Sequence, residues 1–235
     1  VEMALKDLIY HPSADRVSPL RVFSVCTLVI LTFIAVDLAF FAQGASFKRE
    51  GGGLETASAV LYFVAAAVFL FVVAREDLRK LFTVPLVLVL FALRELDFDK
   101  AFTPSGILSA KLYSGDAALS TKLISGCVAV FVVWAILRTA WLGIPAIWRG
   151  MKEGAQWPWY AVAAGVTVVG TKSIDGLGRK MLDFGIVISD DVDATAALVE
   201  EVGEAFIPVF AIMAILARWR GGIHDRNTSR SPSAH

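Results

Sequence analysis

The 235-residue sequence has few of the residues on which metal centres, disulfides and nucleophilic active sites commonly depend. It contains two cysteines and three histidines, and the histidines, His11, His224 and His235, lie near its ends. Zinc sites are built mainly from Cys and His, and hydrolytic triads need a His as the base. The sequence therefore argues against zinc, Ser-His-Asp and Cys-His chemistry. Both cysteines fall in apolar segments and are interpreted as small buried hydrophobic residues.

An excess of charge of one sign is also lacking, because 22 Lys and Arg balance 22 Asp and Glu to a formal net charge of +0. Nucleic-acid-binding proteins cluster positive charge, whereas the Lys and Arg of this chain are dispersed, so we expect no nucleic-acid partner. Charged residues make up 19% of the chain and hydrophobic residues 57%. Soluble domains have about 25% charged and roughly 45–50% apolar residues, so this composition is typical of a membrane protein.

Apolar segments near the length needed to cross a bilayer, about 20 residues, recur along the chain. They predict an all-α, polytopic integral membrane bundle of about six transmembrane helices. The predicted spans are residues 22–42, 54–75, 80–97, 121–141, 158–177 and 195–217. No cleavable signal peptide is expected, because charged residues are mixed through the first 21 positions and a long apolar run follows. Small residues such as Ala161 and Gly165 predict a central position for the fifth span.

The distribution of Lys and Arg predicts the orientation, since these residues are enriched in cytoplasmic loops. With six spans, thirteen of them fall on the side of the termini and nine on the other side. Both termini are therefore predicted to be cytoplasmic, in a bacterial-type inner membrane. We expect a cytoplasmic N-terminal segment 1–21, a six-helix membrane domain 22–217 and a flexible cytoplasmic tail 218–235. The segment 141–149, with a Trp near each end, is predicted to form an interfacial helix.

Acidic residues interrupt the predicted spans at their external ends, where ionisable side chains in or beside a membrane are costly. Glu200, Glu201 and Glu204 are three and four residues apart and share one helical face. Because the topology brings the other interruptions to the same side, we expect a single polar cluster. Its predicted members are seven carboxylates and two bases: Glu55, Arg94, Glu95, Asp97, Lys172, Asp175, Glu200, Glu201 and Glu204.

Helical spacing predicts that Arg94 pairs with Asp97, and that Lys172 and Arg179 both pair with Asp175. Three bases then leave four of the seven carboxylates without a partner. In a partly desolvated site, such an excess of acid is resolved by protonation, by a bound cation or by water. A metal in this site would be a hard divalent cation, Mg²⁺, Ca²⁺ or Mn²⁺. Its ligands would be Glu95, Asp175, Glu201 and Glu204.

The sequence thus favours a carboxylate-rich cavity, open to the external side, that handles a cation, a proton or a small polar solute as a transporter or channel does. Glu204 is expected to be its central residue. One alternative is a membrane-embedded, carboxylate- or divalent-metal-dependent enzyme acting on lipid or lipid-linked substrates. Another is a structural or assembly subunit whose charges are simply ion-paired. Expected partners are the lipid bilayer and either another membrane protein or a second copy. Asp37, alone in the first span, is expected to hydrogen-bond within the bundle or to pair with Arg94.

Overall fold

The computed structural model of the chain describes residues 18–41, 52–98 and 109–219, together with residues 100, 103, 106 and 107. All regular structure in these residues is helical, which confirms the all-α prediction. The helices are α1 Pro19–Phe40, α2 Gly53–Val72, α3 Arg75–Leu81, α4 Thr83–Glu95, α5 Ala110–Ser114, α6 Leu119–Lys152, α7 Trp157–Ile174, α8 Leu177–Asp183 and α9 Asp190–Trp219. The predicted cytoplasmic segment 1–21 and tail 218–235 fall almost entirely outside the described residues.

Three of these helices, α1, α2 and α6, are long and apolar enough to cross a membrane by length and composition. In α1 and α6, only 17% and 11% of the most apolar window is buried inside the protein. Their large apolar side chains, among them Leu31, Phe40, Leu137 and Trp141, are exposed. Water makes such surfaces costly, whereas lipid tails cover them. The three candidate spans indicate a membrane location and contact with lipid.

Helix α2 lies at the centre of the bundle, where it packs against α1, α4 and α9. Its Ala65 and Phe69 are completely buried, so small and large side chains alternate along the packed surface. At its first residue, Gly53, a Cβ atom would lie 2.5 Å from the carbonyl oxygen of Phe33 in α1. Only glycine permits this approach, which brings the beginning of α2 against the end of α1.

The predicted central position of α7 is wrong, because α7 packs mainly against α9 and, to a smaller extent, against α6. Space is open around its Gly165 and Gly170, so neither glycine brings a neighbouring helix close. The close approach is made from the other helix. A Cβ atom at Gly203 in α9 would lie 2.5 Å from Thr171 Cγ2 in α7. Small residues indicate where two helices can approach closely. The rotation of each helix about its axis decides which small residues face a neighbouring helix.

Helix α6 is a single helix of 34 residues, about 51 Å long at 1.5 Å per residue. The predicted interfacial helix 141–149 is therefore wrong as a separate element, because these residues continue α6 through Pro145. The helix ends at a turn in which Gly154 adopts a positive φ of 70°. Cys26 in α1 is buried as predicted, whereas Cys127 is exposed on the surface of α6.

Candidate functional site

All nine residues of the predicted polar cluster line one cleft, with a volume of about 440 Å³, at the end of the bundle where α2 begins and α4 and α7 end. We call it the acidic cleft. Its lining residues are Glu55, Arg94, Glu95, Asp97, Lys100, Gly106, Lys172, Asp175, Ala197, Glu200, Glu201 and Glu204. The structure thus brings the predicted residues together, and their role in binding stays a prediction.

Helix α9 contributes one continuous face to the acidic cleft. Ala197, Glu200, Glu201 and Glu204 follow the spacing i, i+3, i+4 and i+7, which places their side chains on one side of a helix. After Glu204 the same helix becomes apolar, and Ala205 is already buried in the core. Glu204 is therefore the deepest acid of α9, at the boundary between the cleft and the apolar interior.

The end of α4 directs Arg94 and Glu95 into the cleft through a tight turn. The Phe98 N–H donates to the Leu93 carbonyl and the Asp97 N–H to the Arg94 carbonyl, both at 3.0 Å. These are the two hydrogen bonds of a Schellman turn, and Asp97 takes the left-handed position with a φ of 50°.

This turn explains why the predicted Arg94–Asp97 pair is wrong. The helix ends before Asp97, so helical spacing no longer relates the two side chains. Asp97 instead contacts Lys100, with 2.8 Å between Oδ1 and Nζ. Arg94 Nη1 lies 3.4 Å from Glu95 Oε1.

The end of α7 places Lys172 in the lining of the acidic cleft. The Lys180 Nζ donates to the Lys172 carbonyl at 3.0 Å, which satisfies one of the free carbonyls at this helix end. Lys172 Nζ lies 3.3 Å from Asp175 Oδ2, as predicted. The predicted Arg179–Asp175 ion pair is not present in the described part of the chain. The pair is absent because Gly176 has a left-handed φ of 60°, which separates α7 from α8 and interrupts the helical spacing between Asp175 and Arg179.

Glu204 connects three helices through its charge. Its Oε1 lies 2.8 Å from Lys172 Nζ of α7 and 3.7 Å from Arg94 Nη1 of α4. Lys172 Nζ is also 3.7 Å from Glu200 Oε1. The side chains of Glu95, Glu200 and Glu204 are only 7%, 16% and 17% exposed. Charges held this far from water interact more strongly than charges on an open surface.

Three polar residues of the region were not predicted from the sequence. Lys100 lines the cleft beside Asp97. Ser58 is buried beside the Glu95 carboxylate, and Tyr62 is buried within electrostatic range of Glu95 and Glu204. The sequence could have indicated Ser58 and Tyr62, because positions 55, 58 and 62 follow the helical spacing i, i+3 and i+7 and so share one face with Glu55. Ser58 and Tyr62 are therefore polar residues of α2 close to the cleft but outside its lining.

Asp37 is not among the residues that line the acidic cleft. It is buried in α1 against the beginning of α2, where a Cβ atom at Gly53 would lie 2.7 Å from its Cβ. A carboxylate is favoured at a helix N-terminus, because the helix dipole is positive there. Pairing of Asp37 with Arg94 was one of two expectations, and Arg94 pairs instead with Glu95 and Glu204.

A preformed metal site is absent from the residues that the structure describes, since no group of three or more His, Cys, Asp or Glu is arranged to hold a metal ion. The four suggested ligands, Glu95, Asp175, Glu201 and Glu204, all line the cleft. Two of them, however, contact the ammonium of Lys172, at 3.3 Å for Asp175 and 2.8 Å for Glu204. The ammonium therefore stands where these two carboxylates would have to share a metal ion.

Comparison with known proteins identifies no relative. No protein family, no curated protein and no solved structure matches the chain.

Proposed function

We propose that the chain is a multi-pass membrane protein in which α4, α7 and α9 cross the bilayer together with α1, α2 and α6. Two observations support this topology. Helices α2, α4 and α9 share one apolar core with α1, and residues 205–217 of α9 carry no charge. Helix α4 has 13 residues and is about 20 Å long, so the bilayer is thinned there or the charged end of α4 lies within its outer part. The distribution of Lys and Arg supports a cytoplasmic location of both termini, in a bacterial-type inner membrane.

Within this topology, the acidic cleft is a binding site, open to water on the external side, for a small cation or a small polar solute that carries positive charge. The observation that carries the proposal is the charge of its lining. Seven carboxylates and three bases, Arg94, Lys100 and Lys172, line the same cleft, which leaves an excess of four negative charges. A cleft lined mainly by one sign of charge concentrates counter-ions of the opposite sign.

The depth of the cleft favours binding from one side. Below Glu204, Ser58 and Tyr62 the bundle is closed by apolar residues, including the completely buried Phe69 and Val209. A bound solute would therefore pass further only if α9 moved relative to its neighbours. The contact of Gly203 with Thr171 lies one residue from Glu204, so a shift of α7 against α9 would alter the charge contacts and the packing together.

The test measures cation binding by the purified full chain in lipid nanodiscs, with radioactive Na⁺, Rb⁺ and Ca²⁺ as probes in turn. At least one of them should bind, and binding should weaken as the pH falls, because protons compete for the carboxylates. Glu204→Gln should lower the affinity about tenfold, because it reduces the excess of negative charge that attracts a cation to the cleft. Glu153→Gln is the matched control, since it neutralises a glutamate at the opposite end of the bundle. Equal affinity and equal pH dependence in wild type and Glu204→Gln would refute the proposal.

A structural subunit is the second candidate, and the contacts of Glu204 are the observation that favours it. Ion pairs from Glu204 to Lys172 and Arg94 tie three helices together without any ligand. This alternative predicts that Glu204→Gln combined with Lys172→Met leaves the fold unchanged and that none of the three cations binds the wild-type protein. Cation binding by the wild type would exclude it.

A further inference from the structure

One charged residue stands alone in the apolar part of α6. Arg138 is the only charged residue between Lys122 and Arg149 in that helix. An ionised side chain within a membrane helix is costly, and it is usually paired with an acid or extends to the membrane surface. The surroundings of Arg138 therefore indicate what satisfies its charge.

The contacts of Arg138 within the protein are few. Its Nη2 donates to the Lys80 carbonyl oxygen at 3.4 Å, and its guanidinium carbon lies 5.5 Å from the centre of the Phe82 ring. Its Nε is buried without a hydrogen-bond partner. Among the described residues, no carboxylate forms an ion pair with it. A guanidinium carries five N–H donors, so this charge lacks acceptors.

The surface beside Arg138 combines basic residues with exposed apolar side chains. Arg79 and Lys80 are exposed in the last turn of α3, whose first turn carries Glu76 and Asp77, and with Arg75 they leave this helix with one net positive charge. Phe82 packs near Trp134 of α6, with 6.1 Å between ring centres. Leu137 and Trp141 are exposed next to Arg138 along the same helix. A molecule that combines a negative head with an apolar chain matches both features of this surface.

We propose that the surface formed by the α3–α4 junction and α6 around Arg138 binds an anionic phospholipid. Arg138 donates to the phosphate through its planar fork, a geometry that matches two phosphate oxygens. Arg79 and Lys80 supply charge around the headgroup, and Leu137 and Trp141 contact the acyl chains. This site lies on the predicted cytoplasmic side, where anionic lipids attract basic residues next to a membrane helix. The inference rests on the proposed membrane topology.

The test compares lipid retention by variants of the full chain. Wild-type protein is reconstituted into vesicles of equal parts phosphatidylcholine and phosphatidylglycerol, extracted in detergent and examined by native mass spectrometry. We expect a retained phosphatidylglycerol in wild type and a loss of about tenfold or more in Arg138→Gln. Arg138→Lys keeps the charge without the fork and should retain an intermediate amount. Lys152→Gln removes a positive charge further along α6, next to the Trp148 ring, and should retain as much as wild type.

Four outcomes would overturn the inference. Equal retention in wild type and Arg138→Gln would show that Arg138 holds no lipid. Displacement of the lipid by millimolar inorganic phosphate would show a site for free phosphate instead. If the wild-type chain inserts into the vesicles but retains phosphatidylcholine equally well, the anionic specificity is wrong and the topology stands. If the chain does not float with the vesicles, the proposed topology fails as well.

Discussion

The two ends of the bundle both concentrate charged residues, but they satisfy those charges differently. At the acidic cleft, bases contact carboxylates of other helices, with 2.8 Å between Lys172 Nζ and Glu204 Oε1. At the opposite end, bases lie over aromatic rings, as Arg218 does at 4.2 Å from the centre of the Trp157 ring. An aromatic face stabilises a cation without neutralising it. The first end is therefore organised around an excess of acid, whereas at the second end cations also contact aromatic faces.

The largest expected effect concerns Lys172, on which the acidic cleft depends. Lys172→Met leaves Glu204 and Glu200 with less compensating charge while keeping the length of the side chain. We expect the free energy of unfolding to fall by about 2 kcal/mol, between the values for exposed and buried ion pairs. Thermal unfolding in detergent measures the change.

A double variant tests the cause. Lys172→Met with Glu204→Gln should recover part of the lost stability, because the uncompensated carboxylate is removed as well. If the single variant is as stable as wild type, the cleft does not depend on this ion pair, and the contrast between the two ends is lost.

A smaller effect is expected at the helix contact beside the cleft. Gly203→Ala places a methyl group 2.5 Å from Thr171 Cγ2, so α7 must shift away from α9. We expect a cost of about 1–2 kcal/mol, typical of overpacking. Gly165→Ala is the matched control, because nothing lies within 4 Å of its Cβ position. It should be neutral or stabilising by up to about 1 kcal/mol, since Ala is the better helix former. Equal effects of the two changes would show that α7 and α9 are not closely packed at Gly203.

The smallest effect is expected at the opposite end. Arg218→Met removes the cation from the Trp157 ring and should lower the free energy of unfolding by about 0.5–1 kcal/mol. The control is Arg75→Met, an exposed residue in the first turn of α3, which should change the stability by less than about 0.5 kcal/mol. A loss as large as that of Lys172→Met would mean that both ends stabilise the fold equally.

Periodicity and topology predicted much of the acidic cleft. The spacing of Glu200, Glu201 and Glu204 places them on one face in any α-helix, whatever the neighbours are. Consecutive predicted spans cross the membrane in opposite directions. This predicted that the ends of α4 and α7 lie on the same side as these acids. Both arguments use only local sequence and chain direction, so they need no knowledge of packing.

Ion-pair partners were less predictable, because they depend on contacts between distant segments. Arg94 contacts Glu204, which lies 110 positions later, and not Asp97, three positions later. A left-handed turn at Asp97 ended the helix and removed the local alternative. Likewise, no sequence pattern shows that Lys172 stands between Asp175 and Glu204. Such contacts are set by helix rotation and by where each helix ends.

By itself, the sequence determined that the chain is helical and rich in long apolar segments, and it predicted about six spans with seven of its acids gathered at one end. These properties follow from composition and from the 3.6-residue period, which act along the chain. The tertiary structure decided that α2 and not α7 is central, that α6 continues through Pro145, and that Glu204 bridges α4 and α7. The physical reason is that local sequence leaves several rotations and several end positions of a helix nearly equal in energy. Packing against the other helices then selects one of them.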